Sequence, residues 1–110
     1  MREAVHLSPT CIFDPDSHSV IRRGHIYRLT DIQYRILECL LERMGEIVSA
    51  ETIMRCVWGD KHTGTRENFN VQILRLRRRI ELDYRAPKLI RTVRGSGYVL
   101  VVQSGVVRDG

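Results

Sequence analysis

A short stretch of the sequence, residues 68–79, carries side chains that could read the edges of DNA bases. Four of them follow the spacing i, i+3, i+4 and i+7, which would place them on one outward strip of a helix. They are Asn68, Val71, Gln72 and Arg75. Arginine pairs bidentately with guanine, asparagine or glutamine pairs with adenine, and an aliphatic side chain can contact a thymine methyl group. We therefore expect these four side chains to contact bases in the major groove.

Three consecutive arginines extend the same stretch, and a second basic element follows near the C-terminus. Arg77, Arg78 and Arg79 are placed to contact phosphates, which fix the register of a complex without reading its sequence. Arg94 precedes Gly95-Ser96-Gly97, a tip that could approach a phosphate closely while the arginine enters a narrow minor groove. The alternatives are a solvated helix face or a protein-binding patch for the arginines, and an ordinary hairpin whose arginine faces water.

The distribution of charge favours a polyanionic partner. The formal net charge is +5, and residues 61–94 hold ten basic residues against three acidic ones. This stretch is therefore net +7, whereas the rest of the chain is net −2. A basic C-terminal half joined to a slightly acidic N-terminal half indicates that one face of the protein binds the polyanion.

Turn signals and periodicity place the elements that must hold these side chains. Residues 5–29 contain short β-type runs separated by turns, which predicts an antiparallel sheet of three or four strands. At Thr30, which forms a capping box with Gln33, the pattern changes to helical spacing that continues to Met44. Ser49 and Gly59 then bound a second helix.

A third helix is predicted from about Thr65 to Leu82, and its buried stripe has helical spacing. The stripe consists of Phe69, Ile73, Leu76 and Ile80. Leu89–Arg94 and Tyr98–Val102 are β-type runs that predict a closing hairpin, the wing. We therefore expect one α+β domain over residues 1–102, with an N-terminal antiparallel sheet, a three-helix core and a C-terminal β-hairpin, followed by a tail over 103–110.

Other classes of protein fit the sequence less well. The four histidines are scattered without catalytic spacing, so we expect no enzyme, no cofactor and no metal site. Cys11, Cys39 and Cys56 are odd in number and widely spaced, which indicates three reduced thiols rather than a disulfide framework or a zinc site. No apolar run is long enough to span a membrane and no secretory signal is present, so we expect a cytoplasmic protein without a membrane partner.

Leu29-Thr30 and four further blocks of sequence resemble one family. They occur in order along residues 5–102. The blocks are Gly45-Glu46-Ile47-Val48-Ser49, Val57-Trp58-Gly59, Val71-Gln72-Ile73-Leu74-Arg75-Leu76-Arg77 and Thr92-Val93-Arg94-Gly95-Ser96-Gly97-Tyr98. In this order and separation they resemble the OmpR/PhoB-type winged-helix effector domain of bacterial response regulators. The resemblance implies a winged helix-turn-helix with a four-stranded N-terminal sheet. It also implies sequence-specific binding to promoter double-stranded DNA, as two copies in tandem on a direct repeat.

The resemblance also assigns roles to individual positions. The base contacts fall on the four residues of the outward strip. Leu74 and Arg77 fall at positions that meet phosphates, and Thr92, Arg94 and Tyr98 fall where the wing meets the backbone and the minor groove.

The second helix and the loop after it receive roles as well. Trp58 falls where the end of this helix approaches a phosphate, and a core aromatic is the equally weighted alternative. The following loop matches a segment that contacts RNA polymerase in some members of the family. It consists of Asp60, Lys61, His62, Thr63 and Gly64.

Several positions depart from the family pattern. Glu67 replaces an arginine, Asn70 an aspartate, Gln72 a histidine and Leu74 a polar residue. These changes leave the fold prediction intact but imply a different target sequence and a lower affinity. Such domains also follow a receiver domain, so the sequence is either an excised C-terminal half or a stand-alone regulator without a phosphoacceptor. The alternative function is a winged-helix protein–protein interaction module without sequence-specific DNA binding.

Overall fold

The computed structural model describes residues 2–60 and 64–103, and within them it contains three helices and six strands. In chain order these are β1 (Val5–Ser8), β2 (Cys11–Asp14), β3 (Ser19–Arg22), β4 (His25–Arg28), α1 (Asp31–Glu42), α2 (Ala50–Trp58), α3 (Arg66–Ile80), β5 (Ile90–Val93) and β6 (Gly97–Leu100). The order of an N-terminal sheet, three helices and a hairpin is the winged-helix architecture predicted from the sequence.

The first four strands form one antiparallel sheet in the order β1-β2-β3-β4. Phe13 pairs with Val20, and Val20 pairs with Tyr27, so their side chains share one face of the sheet. Phe13 and Val20 are fully buried, and the Phe13 ring lies 5.9 Å from the ring of Tyr34 on α1. This face of the sheet therefore covers the helical core.

All three helices begin where a hydroxyl side chain precedes them. Thr30, Ser49 and Thr65 each accept a hydrogen bond from the backbone N–H three residues later, which satisfies an otherwise unpaired amide. Gln33 completes the capping box by accepting from the backbone N–H of Thr30 at 2.9 Å. The predicted starts of the helices are confirmed.

The end of α1 differs from the prediction. The helix ends at Glu42 with Arg43 as its C-cap, so Met44 lies outside it and is 52% exposed. Gly45 follows with a φ of +84°, and its N–H donates to the Leu100 carbonyl at 3.0 Å. The chain leaves the helix early because it turns toward β6 at this point.

β5 and β6 form the hairpin that we call the wing, together with the tip at residues 94–96. Its base is fastened to the chain that enters α2, since Val48 and Tyr98 exchange two backbone hydrogen bonds of 2.7 and 2.9 Å. Gly97 has a φ of +145° and lies against the Val48 backbone so closely that a Cβ atom would collide with it. A glycine at position 97 thus allows the wing to pack against the start of α2.

Candidate nucleic-acid interface

The outward surface of α3 presents three of the four predicted base-contacting residues. Asn68, Val71 and Arg75 are all exposed, and we call them the open strip. Val71 is 41% exposed and the neighbouring Leu74 is 39% exposed, which is high for aliphatic side chains on a packed helix. The opposite side of α3 is buried through its apolar stripe, as predicted from the sequence. The helix is therefore fixed by its inner side and presents the strip to solvent.

The prediction that Gln72 belongs to this outward strip is wrong. Its side chain is only 8% exposed, because Gln72 lies three residues after Phe69 and four residues before Leu76, which places it on the border of the buried stripe. Its amide Nε2 donates to Asn68 Oδ1 at 3.5 Å. Gln72 therefore contacts the open strip from its flank.

The phosphate contact predicted for Arg77 stays a prediction, and the structure places the guanidinium of Arg77 against the wing. Its Nε and Nη2 atoms donate to the Ile90 carbonyl at 3.1 and 2.8 Å, and Nη2 donates to Thr92 Oγ1 at 2.9 Å. The guanidinium carbon also lies 5.9 Å from the Tyr98 ring centroid. Burial lowers the pKa of Arg77, although an arginine remains protonated. Arg77 turns toward the wing because it lies on the flank of α3 that faces β5.

Glu81 is a residue that the sequence analysis missed, and it fixes the same strand from the other side. Its carboxylate is 2% exposed and accepts the backbone N–H groups of Lys88, Leu89 and Ile90 at 2.8–3.1 Å. Ile90 is consequently held at both backbone groups, with its N–H on Glu81 and its carbonyl on Arg77. We call this pair, Arg77 and Glu81, the junction between α3 and the wing.

Arg78 and Arg79 are exposed and lie over aromatic rings. The guanidinium carbon of Arg78 lies 4.7 Å from the Tyr84 ring centroid, and that of Arg79 lies 5.1 Å from the ring centroid of Tyr27 on β4. Such contacts restrain a long side chain while leaving its charge in water. Both cations therefore remain available at the surface.

Arg22 of β3 is a second residue that the sequence analysis missed. Its Nη1 donates to the carbonyls of Arg78 and Glu81 at 2.8 and 3.0 Å. The C-terminal end of a helix carries unpaired carbonyls and partial negative charge, which a cation stabilises. Arg22 thereby fastens the end of α3 to the N-terminal sheet.

Two of the wing residues predicted to contact DNA are exposed in the structure, and a third is buried. Thr92 and Arg94 are exposed, and Arg91 on the same strand is exposed as well. Tyr98 is only 7% exposed, and its ring packs edge-on against Phe69 with centroids 5.7 Å apart. The DNA contact predicted for Tyr98 stays a prediction, and its ring lies on the inner face because side chains alternate along β6 and Tyr98 shares that face with Leu100.

A small groove separates the tip of the wing from the starts of α2 and α3. It has a volume of about 280 Å³. Its polar lining includes Ser49, Glu51, Arg66, Thr92 and Ser96. Arg66 brings positive charge to this groove from the first turn of α3, and Glu51 brings negative charge from the first turn of α2.

Trp58, at the end of α2, is half-buried and packs at the edge of the core. A Cβ atom on Gly64 would come within 2.6 Å of the Trp58 indole carbons, so the glycine backbone lies flat against the ring. Trp58 therefore packs against the core, and its contact with a phosphate stays a prediction. Asp60 is exposed, whereas the predicted polymerase contacts Lys61, His62 and Thr63 lie outside the described residues.

Comparison with known proteins relates this geometry to a family. Residues 24–100 match the family described as "Transcriptional regulatory protein, C terminal". The chain is 39% identical over 85 residues to the regulatory protein VanRc of Enterococcus gallinarum, covering 77% of this chain and 37% of that protein. It is 38% identical over 86 residues to the DNA-binding dual master transcriptional regulator RpaA of Synechocystis, covering 78% of this chain and 36% of that protein. The chain thus spans little more than a third of these relatives.

The fold is also found in an experimental structure. The Klebsiella pneumoniae RstA DNA-binding domain, whose crystal structure is a complex with the RstA box, superimposes with a TM-score of 0.75 at 22% identity. The match covers 93% of this chain and all of that one. In the described part of this chain, no helix is long and apolar enough to cross a bilayer.

Proposed function

This chain belongs to the family of C-terminal domains of transcriptional regulatory proteins, and from that premise we propose that it reads promoter DNA through α3 and the wing. Its relatives and structural neighbours carry names of transcriptional regulators and DNA-binding domains. The observation that carries the proposal is the open strip of α3, which is exposed beside a basic wing joined rigidly to the same helix.

The open strip supplies base recognition. Arg75 carries a planar fork that fits guanine, Asn68 offers an amide that fits adenine, and Val71 is an exposed aliphatic side chain that fits a thymine methyl group. Gln72 acts indirectly, because its amide contacts Asn68 and limits the rotamers that Asn68 adopts. This arrangement supports readout of a few consecutive base pairs in the major groove.

The surrounding cations supply phosphate contacts. Arg78 and Arg79 lie at the C-terminal end of α3, and Arg94 lies at the tip of the wing. In the groove between the tip and α3, Arg66 is the candidate for a phosphate contact, and the Glu51 carboxylate lines the same groove. The two ends of α3 and the wing would together contact the DNA backbone on either side of the major groove.

Two copies acting together would supply affinity and specificity. A single module of this kind buries about 600–1,000 Å² on DNA, which limits its affinity. Two copies on adjacent half-sites of a direct repeat therefore fit the proposed function better than one. In the whole regulator, a cytoplasmic two-component response regulator under this proposal, Asp60 and residues 61–64 would contact RNA polymerase at the promoter.

The experiment that tests the proposal is selection from a randomised duplex pool. The purified chain is titrated into the pool at two salt concentrations, and the retained duplexes are sequenced. We expect enrichment of a short direct repeat and an affinity that falls steeply with salt as counterions are released. Salt-sensitive binding without an enriched sequence would contradict base readout by the open strip. Absence of binding at low salt would overturn DNA binding and favour a protein-docking module, for which Val71 and Leu74 are the exposed apolar candidates.

A further inference from the structure

The N-terminal sheet has an outer face, turned away from the helices, that carries a row of isoleucines. Phe13 and Val20 lie on the inner face, and side chains alternate along a strand, so their neighbours lie on the outer face. Ile12 of β2 pairs with Ile21 of β3, and Ile21 pairs with Ile26 of β4. These three side chains therefore lie side by side across three strands, and we call them the isoleucine row.

The isoleucine row is open to solvent. Ile26 is 72% exposed, more than any other large hydrophobic side chain in the described part of the chain. Ile12 and Ile21 are half-buried. Single exposed apolar residues are common on protein surfaces, whereas a contiguous apolar patch indicates an interaction site. The outer face of the sheet is therefore a candidate interaction surface.

Two opposite charges lie beside the row, one on each side of β3. Asp14 of β2 pairs with Ser19 of β3, and Ser19 pairs with Arg28 of β4. Asp14 lies two residues after Ile12, and Arg28 lies two residues after Ile26, so both side chains share the outer face with the row. The face thus carries a negative charge on β2 and a positive charge on β4, one strand away from β3 in either direction.

The carboxylate of Asp14 is held in place by the turn after β2. Its Oδ1 accepts from the backbone N–H of Asp16 at 3.1 Å, and its Oδ2 accepts from the Ser17 hydroxyl at 2.9 Å. Arg28 is exposed on the edge strand. Because an ionised carboxylate has about four acceptor sites, Asp14 can accept further hydrogen bonds from a guanidinium above the sheet.

We propose that the outer face of the sheet binds the same face of a second copy of this chain in a twofold-symmetric dimer. A twofold axis parallel to the strands and above β3 places β2 of each copy over β4 of the other. Ile21 then faces Ile21 of the second copy, Ile12 faces Ile26, and Asp14 faces Arg28. Symmetry repeats the last two contacts, so the dimer contains two reciprocal ion pairs around an apolar centre.

The open edge of the same sheet suits a second copy less well than the face does. β4 is an edge strand, and antiparallel pairing of two β4 strands about their centre would put His25 opposite Arg28. Arg79 adds a third basic side chain here, since its guanidinium lies over Tyr27 of β4. Basic side chains along an edge oppose strand pairing. The charges therefore favour contact through the face.

The size of the face predicts a weak dimer. Strands spaced about 4.8 Å apart with a rise of about 3.4 Å per residue give a face of roughly 19 by 14 Å. Such an area lies at the low end for specific protein interfaces. We therefore expect a dimer that dissociates in the high micromolar range. Both copies would keep α3 uncovered, because the helices lie on the inner face of the sheet.

Sedimentation equilibrium of the purified chain over a concentration series tests this proposal. We expect the average mass to rise from monomer toward dimer as the concentration approaches the millimolar range, whereas Ile26→Asp should remain monomeric. Ile47→Asp is the matched control. Ile47 is 56% exposed but lies in the segment that leads to α2, so this variant should associate like the wild type. A wild-type chain that stays monomeric throughout, or equal association of Ile26→Asp, would overturn the proposal.

The charges on the face allow a second variant. Arg28→Glu places a carboxylate opposite Asp14 at both ion pairs, and the position is exposed, so the fold should persist. We expect the dissociation constant of the dimer to rise about tenfold, because two ion pairs are lost and two repulsions are gained. An unchanged dissociation constant would exclude the proposed pairing of β2 over β4.

Cross-linking separates contact through the face from contact through the edge. Cys56→Ser removes the exposed cysteine, and Cys11 and Cys39 are buried. In this background, Ile21→Cys should form covalent dimers with a short bismaleimide, because position 21 lies on the twofold axis. Ile26→Cys should link less, because position 26 faces position 12. The reverse order would show edge-to-edge pairing of β4 and overturn the proposal. DNA is absent from all of these experiments, so their outcome does not depend on the proposed function.

Discussion

Arg75 and Arg77 lie two residues apart on α3, yet their guanidinium groups have different surroundings. Arg75 belongs to the open strip and is exposed, whereas Arg77 donates to Ile90 and Thr92 and is half-buried. The first is placed to meet a partner, and the second is already engaged within the protein. Residue type alone therefore does not separate a recognition side chain from one that holds the recognition element in place.

The same contrast holds for the open strip and the junction as regions. The junction uses charged side chains to satisfy backbone groups of β5, with Arg77 on a carbonyl and Glu81 on three N–H groups. In the open strip, Asn68 accepts one hydrogen bond from Gln72, and Val71 and Arg75 present their side chains to solvent. Changes at the junction should therefore act on stability and on all DNA alike, whereas changes in the strip should act on sequence preference.

The largest expected effect follows from Glu81→Ala. It would leave the N–H groups of Lys88, Leu89 and Ile90 without their carboxylate, at a site where Glu81 is 2% exposed. We expect the free energy of unfolding to fall by about 3–5 kcal/mol, measured by urea denaturation. Glu67→Ala, at an exposed position on the same helix, should change it by less than about 0.5 kcal/mol. Equal effects of the two substitutions would show that the junction does not hold β5.

An intermediate effect is expected from Arg77→Ala. The Ile90 carbonyl would lose its donor, and the free energy of unfolding should fall by about 2 kcal/mol. Because the wing would no longer be fixed to α3, the affinity for the selected duplex and the affinity for random duplexes should both fall by about tenfold. Fluorescence anisotropy with both duplexes measures this ratio. A loss confined to the selected duplex would instead assign Arg77 to base readout.

Local sequence signals were sufficient to predict most of the fold. The helix starts follow from hydroxyl caps, and the buried stripe of α3 follows from the spacing of Phe69, Ile73 and Leu76. Alternation and turn residues predict the closing hairpin and an N-terminal sheet of three or four strands, and the resemblance to the family implies the fourth strand. These features depend on residues close in sequence, and the structure confirms them.

The environment of the candidate interface depends on residues far apart in the sequence. Arg77 meets Ile90 and Thr92, which lie 13 and 15 residues later, so only the folded chain reveals that its donors are occupied. Gln72 lies on the border of the helical stripe, where periodicity does not separate buried from exposed positions. The burial of Tyr98 could have been predicted, because β-strand alternation puts it on the same face as Leu100.

Glu81 also left a signal in the sequence. It follows three arginines at the C-terminal end of α3, where the helix dipole disfavours a carboxylate. An acidic residue at such a position indicates a compensating tertiary contact, and the structure supplies one in the N–H groups that lead into β5. A residue that departs from the local preference of its helix thus indicates a position at which a tertiary contact determines the residue type.

The smallest effect on stability, and the sharpest test of the contrast, concerns Arg75→Ala. Arg75 is exposed, so the free energy of unfolding should change by less than about 0.5 kcal/mol. Discrimination at one base pair of the selected site should fall by about 1–3 kcal/mol, because a bidentate contact to guanine is lost. Competition binding with single-base variants of the site measures this loss.

The matched control is Arg78→Ala, which removes the cation that lies over Tyr84. This substitution should weaken the binding of all duplexes equally and reduce the salt dependence of binding. Uniform weakening by Arg75→Ala would remove the distinction between the open strip and the phosphate-binding cations, and base readout would then have to lie elsewhere on α3.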